Sequence, residues 1–217
     1  MYKIIMITLT AVIVALYLIR FLGNRYYQKR LLNCVQRCDL DGFLKLENKR
    51  AVRALIPAFN LHYMKLNIFL MRKDEQRTDE EFDVLLDMKV GKTMRRDAVL
   101  KAFYYYVKRR DGGRTRKLIA EIRGFQDAED TIRECEMLFD IYILGRSNHM
   151  EELLKDLDTL PPQQRAVHEY LLSLQYENRG EKERAREYED RSVKTLKDAL
   201  EAEKKRREEK QKETAEK

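Results

Sequence analysis

Residues 166–199 read AVHEYLLSLQYENRGEKERAREYEDRSVKTLKDA and set the pattern for most of the chain. Apolar side chains recur at intervals of three and four residues on both sides of Gly180, which is typical of two amphipathic helices. Glycine readily adopts the positive φ at which many helices end, so Gly180 marks the turn between the two helices. This stretch therefore predicts a helical hairpin.

Similar hairpins are predicted upstream. Their turns lie near residues 41, 75, 112, 145 and 180, a spacing of about 34 residues. A helix, turn and helix repeated at this period is the signature of a helical solenoid, in which each hairpin covers its apolar face with the next. Since the chain has only eight glycines and three prolines and few β-branched runs outside its N-terminal region, the sequence predicts an all-α fold of about five hairpins.

The last hairpin also carries a family resemblance. Large, small, aromatic, glycine, alanine and second small residues stand in fixed order at Leu172, Ser173, Tyr176, Gly180, Ala185 and Ser192. The preceding unit keeps part of this order at Met137, Leu138, Ile141, Gly145 and Pro162. This order resembles the tetratricopeptide repeat, although Glu189 stands where that family has an aromatic residue and Tyr188 lies one position earlier. The resemblance implies a TPR-like α-solenoid over residues 25–200.

Two local signals refine the helix boundaries. Pro57 lies inside the apolar pattern of the second hairpin, so the first helix there either begins beside Pro57 or kinks at it. Thr78 is followed three residues later by Glu81, the pattern of a capping box, which predicts a helix start at Thr78.

The N-terminal region is apolar. Ile4–Ile19 has no charged residue, and Ile4–Leu22 contains only Arg20. Nineteen helical residues extend roughly 28 Å, close to the thickness of about 30 Å of a bilayer core. The sequence therefore predicts a transmembrane anchor over residues 1–24. A cleaved signal peptide is the main alternative, but no small-x-small cleavage site follows the run.

Charge predicts the orientation of this anchor. Residues 1–73 hold thirteen Lys and Arg against three acidic residues, whereas residues 74–217 hold 31 basic and 34 acidic residues. Because the basic residues follow the apolar run, we expect the C-terminal domain in the cytoplasm, the N-terminus outside the cell membrane, and the basic residues beside anionic headgroups. The reverse topology is the alternative. Nucleic acid binding is disfavoured, since the distal part of the chain is slightly acidic.

Motifs for catalysis or metal binding are missing from the sequence. It has no phosphate-binding glycine loop, no G-x-S-x-G and no H-E-x-x-H. His62, His149 and His168 are isolated, and no further histidine or cysteine lies near Cys34 and Cys38 to complete a tetrahedral metal site. We therefore expect no enzyme activity, cofactor, metal or small-molecule substrate. A hydrolase would require carboxylates that cluster only in the folded chain.

A solenoid of hairpins presents a concave surface, formed by the first helix of each hairpin, that suits an extended peptide or a partner helix. The residues expected to contact a partner protein are Tyr63, Asn67, Arg72, Tyr104, Tyr105, Lys108, Arg109, Asp140 and Asn178. The four aromatic residues at positions 103–106 cannot all face one side of a helix. They either fill the interface between hairpins or leave one or two rings exposed to a partner.

Together these features predict a membrane-tethered, non-catalytic adaptor or scaffold that acts by protein binding. The alternative is an extracytoplasmic, membrane-anchored chaperone or assembly factor for envelope proteins. Residues 201–217 contain six acidic and seven basic residues and no large apolar residue, which predicts a helical or disordered tail.

Overall fold

The computed structural model describes residues 2–155 and 157–215, except for the side chains of residues 3–5, 7–12, 15–16 and 210–215. These residues form α-helices and contain no strand, which confirms the prediction of an all-helical fold. The helices are α1 (Tyr2–Gln36), α2 (Leu40–Glu47), α3 (Arg50–Leu55), α4 (Ala58–Arg72), α5 (Glu75–Asp87), α6 (Lys92–Lys108), α7 (Gly112–Ile122), α8 (Glu129–Tyr142), α9 (Met150–Leu154), α10 (Pro162–Asn178) and α11 (Lys182–Ala215). A short 3-10 helix, Leu157–Thr159, precedes α10.

The structure corrects the interpretation of the N-terminal region. Within the described part of the chain, no helix is both long enough and apolar enough to cross a membrane, so the predicted transmembrane span is wrong. The apolar run is not a helix of its own, because α1 continues for 35 residues and its second half is polar. Most side chains of residues 4–16 lie outside the described ones. The predicted single-pass placement, with the C-terminal domain in the cytoplasm, depended on this span and is wrong with it.

The chain divides into two compact units, unit 1 (Met1–Val99) and unit 2 (Leu100–Lys217). The boundary falls inside α6, so each unit receives part of this helix. The predicted arrangement of residues 25–200 as one solenoid stays a prediction.

Unit 1 has its core where the second half of α1 packs against α2, α3 and α4. The buried side chains that meet there are Leu31, Leu40, Phe43, Leu46, Val52, Ile56, Leu61, Ile68 and Phe69. Full burial of one such side chain contributes about 1.5–3 kcal/mol. This cluster therefore holds the polar half of α1 in place, whereas Ile13, Tyr17 and Leu22 in the first half are exposed.

One turn geometry recurs along the chain. Cys38, Lys73, Arg110 and Gly180 each have a positive φ, at 55°, 56°, 55° and 79°. The residue after each of them donates its backbone N–H to the carbonyl five residues earlier, over 2.9, 3.1, 3.1 and 2.9 Å. This is the hydrogen bond of a Schellman helix end. Gly145, with φ of 63°, lies at the remaining predicted turn.

Three of these turns begin the next helix in the same way. Asp39, Asp74 and Asp111 each accept, through Oδ1, the backbone N–H three residues later, over 2.9, 3.2 and 3.0 Å. The predicted start at Thr78 is therefore wrong, since α5 begins at Glu75 behind the Asp74 cap. Thr78 lies buried inside the helix and donates Oγ1 to the Asp74 carbonyl at 2.7 Å. A carboxylate in the turn supplies the cap, and the threonine hydroxyl bonds back along the helix.

Pro57 separates two helices. Ile56 is extended, with φ of −102° and ψ of 125°, and α4 begins directly after the proline. Because proline disfavours helical geometry in the residue before it, α3 has to end here. Of the two predicted alternatives, the helix beginning beside Pro57 is the one observed.

Unit 2 is organised around the hairpin of α10 and α11, and α10 also packs against α8 and α9. Two buried hydrogen bonds join the hairpin, from Ser192 Oγ to the Ala166 carbonyl at 2.7 Å and from Thr195 Oγ1 to Glu169 Oε2 at 2.8 Å. Tyr176 stacks on Tyr188 with a centroid distance of 5.3 Å. The aromatic residue one position early in the repeat pattern therefore packs inside the hairpin.

The predicted tail continues α11 as far as Ala215. Its side chains are exposed from Leu200 to Glu209, the last described one. Glu203 and Lys204 form i,i+4 ion pairs with Arg207 and Glu208, the kind of pair that supports a solvated helix.

Candidate protein-interaction groove

A groove of about 870 Å³ lies in unit 2 between α6, α8, α10 and α11. We call it the unit 2 groove and define it by Tyr104 and Lys108 of α6, Met137 and Leu138 of α8, and Val167 and Leu171 of α10. The first three helices correspond to the first helices of the hairpins predicted from the sequence, which were expected to form the partner-binding surface.

Helical spacing brings the lining residues together. Tyr104 and Lys108 are four residues apart, as are Val167 and Leu171, so each pair lies on one helix face. On α8 the series Glu134, Leu138 and Tyr142 follows the same interval. Thus α6 supplies an aromatic and a cationic residue, whereas α8 and α10 supply most of the apolar ones.

Exposed apolar side chains form one edge of the groove. Val167 is 56% exposed and Leu196 of α11 is 45% exposed. Met137, Leu138 and Leu171 continue this apolar surface inward. Clustered apolar side chains in a concave surface mark a binding site, whereas single exposed ones do not.

Hydroxyl groups supply hydrogen bonds inside the groove. Tyr104 Oη donates to Glu134 Oε1 at 3.1 Å. Burial, followed by the neighbouring Cys135 and Glu134, raises the pKa of Tyr104 well above its usual value. Burial and the adjoining Tyr170 likewise raise the pKa of Tyr142. Both phenols are therefore neutral hydrogen-bonding groups at physiological pH.

The thiol behind this surface is not a nucleophile. Cys135 is fully buried, and its burial raises the thiol pKa to about 11. Because the thiolate is the reactive form of cysteine, this group is inert near neutral pH. Cys34 and Cys38, by contrast, are only partly buried.

One ring nitrogen of His168 lacks a hydrogen-bond partner among the described residues. The residue lines the groove, and this nitrogen, Nδ1, is buried. A buried polar atom without a partner carries an energetic cost. Gln163 and Gln164 add exposed amides to the same end of the groove.

The structure brings two of the predicted partner-binding residues, Tyr104 and Lys108, into this groove. Their neighbours lie elsewhere. Arg109 donates to the Tyr105 hydroxyl, and its guanidinium lies 5.1 Å from the centre of that ring. Phe103 and Tyr106 are buried. The aromatic run therefore divides between core, groove and a separate surface pair.

Asp140 and Asn178 hold a turn together. Asp140 accepts hydrogen bonds from Arg146 and Asn148 at 3.1 Å and contacts His149 Nε2 at 3.2 Å. Asn178 Nδ2 donates to the carbonyls of Ile141 and Arg146, both at 3.0 Å. These hydrogen bonds hold the segment around Gly145 in place.

The three predicted residues of unit 1 also make contacts within the fold. Tyr63 stacks on Phe59 with a centroid distance of 5.7 Å, and Asn67 Nδ2 donates to the Tyr63 carbonyl at 2.9 Å. Arg72 donates to the Cys38 carbonyl at 3.0 Å and so ties α4 to the end of α1.

The apolar lining residues were missed as binding residues. Met137 and Leu138 entered the sequence analysis only as repeat positions, and Val167, Leu171 and Leu196 were not singled out. The only feature of the sequence that pointed to these residues was their helical spacing. This spacing does not distinguish a side chain that faces a groove from one that faces the core, since both are apolar.

A cluster of charged side chains lies in unit 1. Glu81 is buried and contacts His62 Nδ1 and, at 3.4 Å, Lys65 Nζ. Lys65 also lies 3.5 Å from Glu47. These charges compensate one another across α2, α4 and α5, which is the arrangement that buried charges require.

Among the described residues, no group of three or more His, Cys, Asp or Glu side chains is placed to hold a metal ion. The expectations of no metal and no cofactor stay predictions. Comparisons with protein-family models, with curated proteins and with solved structures find no match to this chain.

Proposed function

We propose that this chain is a non-catalytic, TPR-like interaction adaptor and that the unit 2 groove binds an apolar segment of a partner protein. The observation that carries the proposal is a concave surface lined by Met137, Leu138 and Leu171 and open to solvent at Val167 and Leu196. Exposed apolar surface of this kind is stabilised when a partner covers it.

The TPR-like part of the proposal is supported by the recurring turns. Positive-φ residues recur at intervals of about 35 residues at Cys38, Lys73, Arg110, Gly145 and Gly180, and Asp127 is a further positive-φ residue outside this series. The groove is lined by α6, α8 and α10, the first helices of three successive hairpins, as expected for a repeat protein.

The non-catalytic part rests on the chemistry of the lining. The phenols and the thiol are held in their neutral forms, and Glu134 accepts a hydrogen bond from Tyr104. Neutral hydroxyls and amides bind a polypeptide by hydrogen bonding and do not supply an activated nucleophile.

The lining also indicates the kind of segment. Lys108 and Glu134 are opposite in charge, so the groove attracts neither cations nor anions as a class. We therefore expect an uncharged segment with two or more large apolar side chains, whose backbone groups reach the tyrosine hydroxyls and glutamine amides.

Peptide display on the full chain tests this function. Selected peptides would be measured by fluorescence anisotropy against wild type, Val167→Glu/Leu196→Glu, and the matched control Leu154→Glu/Val193→Glu. The control adds the same charge at exposed apolar positions of unit 2 that do not line the groove.

We expect apolar peptides whose Kd rises about tenfold or more in the groove variant and less than about twofold in the control. Circular dichroism would show that both variants keep their helices. Equal binding to the groove variant, or failure to select any apolar peptide, would rule out the proposal.

A further inference from the structure

The net positive charge of the protein belongs to unit 1. Residues 1–99 hold 18 basic and 11 acidic residues, whereas residues 100–217 hold 26 of each. The unit 2 groove has no net charge, so it does not explain the excess of basic residues in unit 1.

The fold gathers part of the excess in one place. A cleft of about 490 Å³ lies between the second half of α1 and α2. We call it the basic cleft and define it by Arg30 and Arg37 on one side and Lys45 and Lys49 on the other. Asn33 and Cys34 also line it.

The four cations of the basic cleft are not neutralised by acidic side chains of the cleft itself. Among the described residues, Asp39 is the only carboxylate that lines it, and its Oδ1 accepts the Gly42 N–H at 2.9 Å as the cap of α2. Arg30 donates to the Tyr26 hydroxyl at 3.1 Å. Arg37, Lys45 and Lys49 form no ion pair with any carboxylate in the described ranges. Four cations that share a cleft repel one another, and an anion placed among them removes this repulsion.

From this geometry we infer that the basic cleft binds an acidic segment of a partner polypeptide. Arg30 lies in α1 and Arg37 directly after its end, seven residues on, so their backbones are separated by roughly 10 Å. Lys45 lies in the last turn of α2 and Lys49 two residues after its end, so their backbones are separated by roughly 6 Å. Alternate carboxylates of an extended peptide are roughly 7 Å apart, so several of them can pair with these cations at once. The arginines can hold a carboxylate through two parallel hydrogen bonds.

Other anions fit the cleft less well. A single phosphate group cannot reach cations spread over this distance. Single-stranded nucleic acid sites combine a basic groove with aromatic rings on which bases stack, and no aromatic side chain in the described part of the chain lines the basic cleft.

The test measures binding of labelled hexaglutamate to the full chain at about 50 mM salt, where charge pairing is weakly screened. The variant Arg37→Glu/Lys45→Glu reverses two exposed cations of the cleft. The control Arg116→Glu/Lys117→Glu reverses two exposed cations of α7 and changes the net charge equally. A labelled oligothymidylate of six nucleotides and inorganic phosphate, added as a competitor, are the other probes.

We expect the Kd for hexaglutamate to rise about tenfold or more in the cleft variant and less than about twofold in the control. Equal weakening in both variants would mean that net charge alone attracts the peptide and would overturn the proposal. Tighter binding of the oligothymidylate, or full displacement of the peptide by phosphate at an equal concentration of negative charge, would overturn it in favour of another anion. Circular dichroism of each variant, compared with wild type, restricts the comparison to folded protein.

Discussion

At the residue scale, an aspartate after a left-handed residue decides where a helix begins. Asp39, Asp74 and Asp111 each follow a residue with positive φ and each cap the next helix. The sequence pattern predicted one of these helix starts at Thr78, because threonine with a glutamate three residues later is a general capping signal. The aspartate caps the helix instead of the threonine, because it lies directly at the turn, where the first backbone N–H groups lack partners.

The cap at Asp111 gives a direct stability prediction. Asp111→Ala removes the acceptor for the Arg114 N–H and should lower the free energy of unfolding by about 1 kcal/mol. Asp111→Asn keeps a side-chain oxygen at the same place and should cost less than half as much. Guanidinium denaturation followed by circular dichroism measures both. Equal losses in the two variants would show that the negative charge, and not the cap, matters.

Cys135 gives a prediction about thiol chemistry. With a pKa of about 11, only about one thousandth of this thiol is ionised at pH 8, and the group is also fully buried. Iodoacetamide at pH 8 should therefore modify Cys34 and Cys38 in the native protein and leave Cys135 unmodified until guanidinium is added. Mass spectrometry of the digested chain gives the position of each label. Native labelling of Cys135 at the rate of Cys38 would contradict the burial seen here.

At the scale of elements, the sequence predicted the type and order of the helices better than their extent. Periodic apolar residues and turn residues identified the hairpins, including the break beside Pro57. The N-terminal region was misread, because hydropathy was evaluated over Ile4–Leu22 alone. In the structure these residues belong to α1, whose continuation is fixed by packing of Leu31 against α2–α4. Contacts made far along the chain are not visible in a local window.

The recurring turns predict opposite effects of glycine at two equivalent positions. Gly180→Ala places a side chain at a φ of 79° and should destabilise the fold by about 1 kcal/mol. A Cβ there meets no atom of the described residues within 4 Å, so the cost comes from backbone conformation. Lys73→Gly relieves the same strain at a φ of 56° and should stabilise the fold by up to about 1 kcal/mol. Thermal unfolding of the two variants checks both signs, and a stabilising Gly180→Ala would refute the shared geometry.

At the scale of the whole molecule, part of the candidate site could be predicted and part could not. The first-helix rule for helical repeats led to Tyr104 and Lys108, which do line the unit 2 groove. The same rule also selected Asp140 and Asn178, whose polar groups are used to hold a turn. Sequence pattern gives the face of a helix, but the use of a polar side chain depends on which carbonyls and carboxylates the fold brings beside it. The basic cleft was likewise hidden, because the charge excess had been assigned to a membrane surface.

The division of charge between the two units predicts different responses to salt at the two proposed sites. Raising NaCl from about 50 mM to about 500 mM shortens the screening length from roughly 14 Å to roughly 4 Å. Hexaglutamate bound at Arg30, Arg37, Lys45 and Lys49 should then lose at least about tenfold in affinity, because its binding rests on exposed charge pairs. An apolar peptide bound beside Val167 and Leu196 should change by less than about twofold, since burial of apolar surface is not screened. Anisotropy titrations of both peptides against the same protein sample, at matched pH and temperature, measure the two responses side by side. If the two affinities fell in parallel, the peptides would share one electrostatic site, and the assignment of separate sites to units 1 and 2 would be wrong.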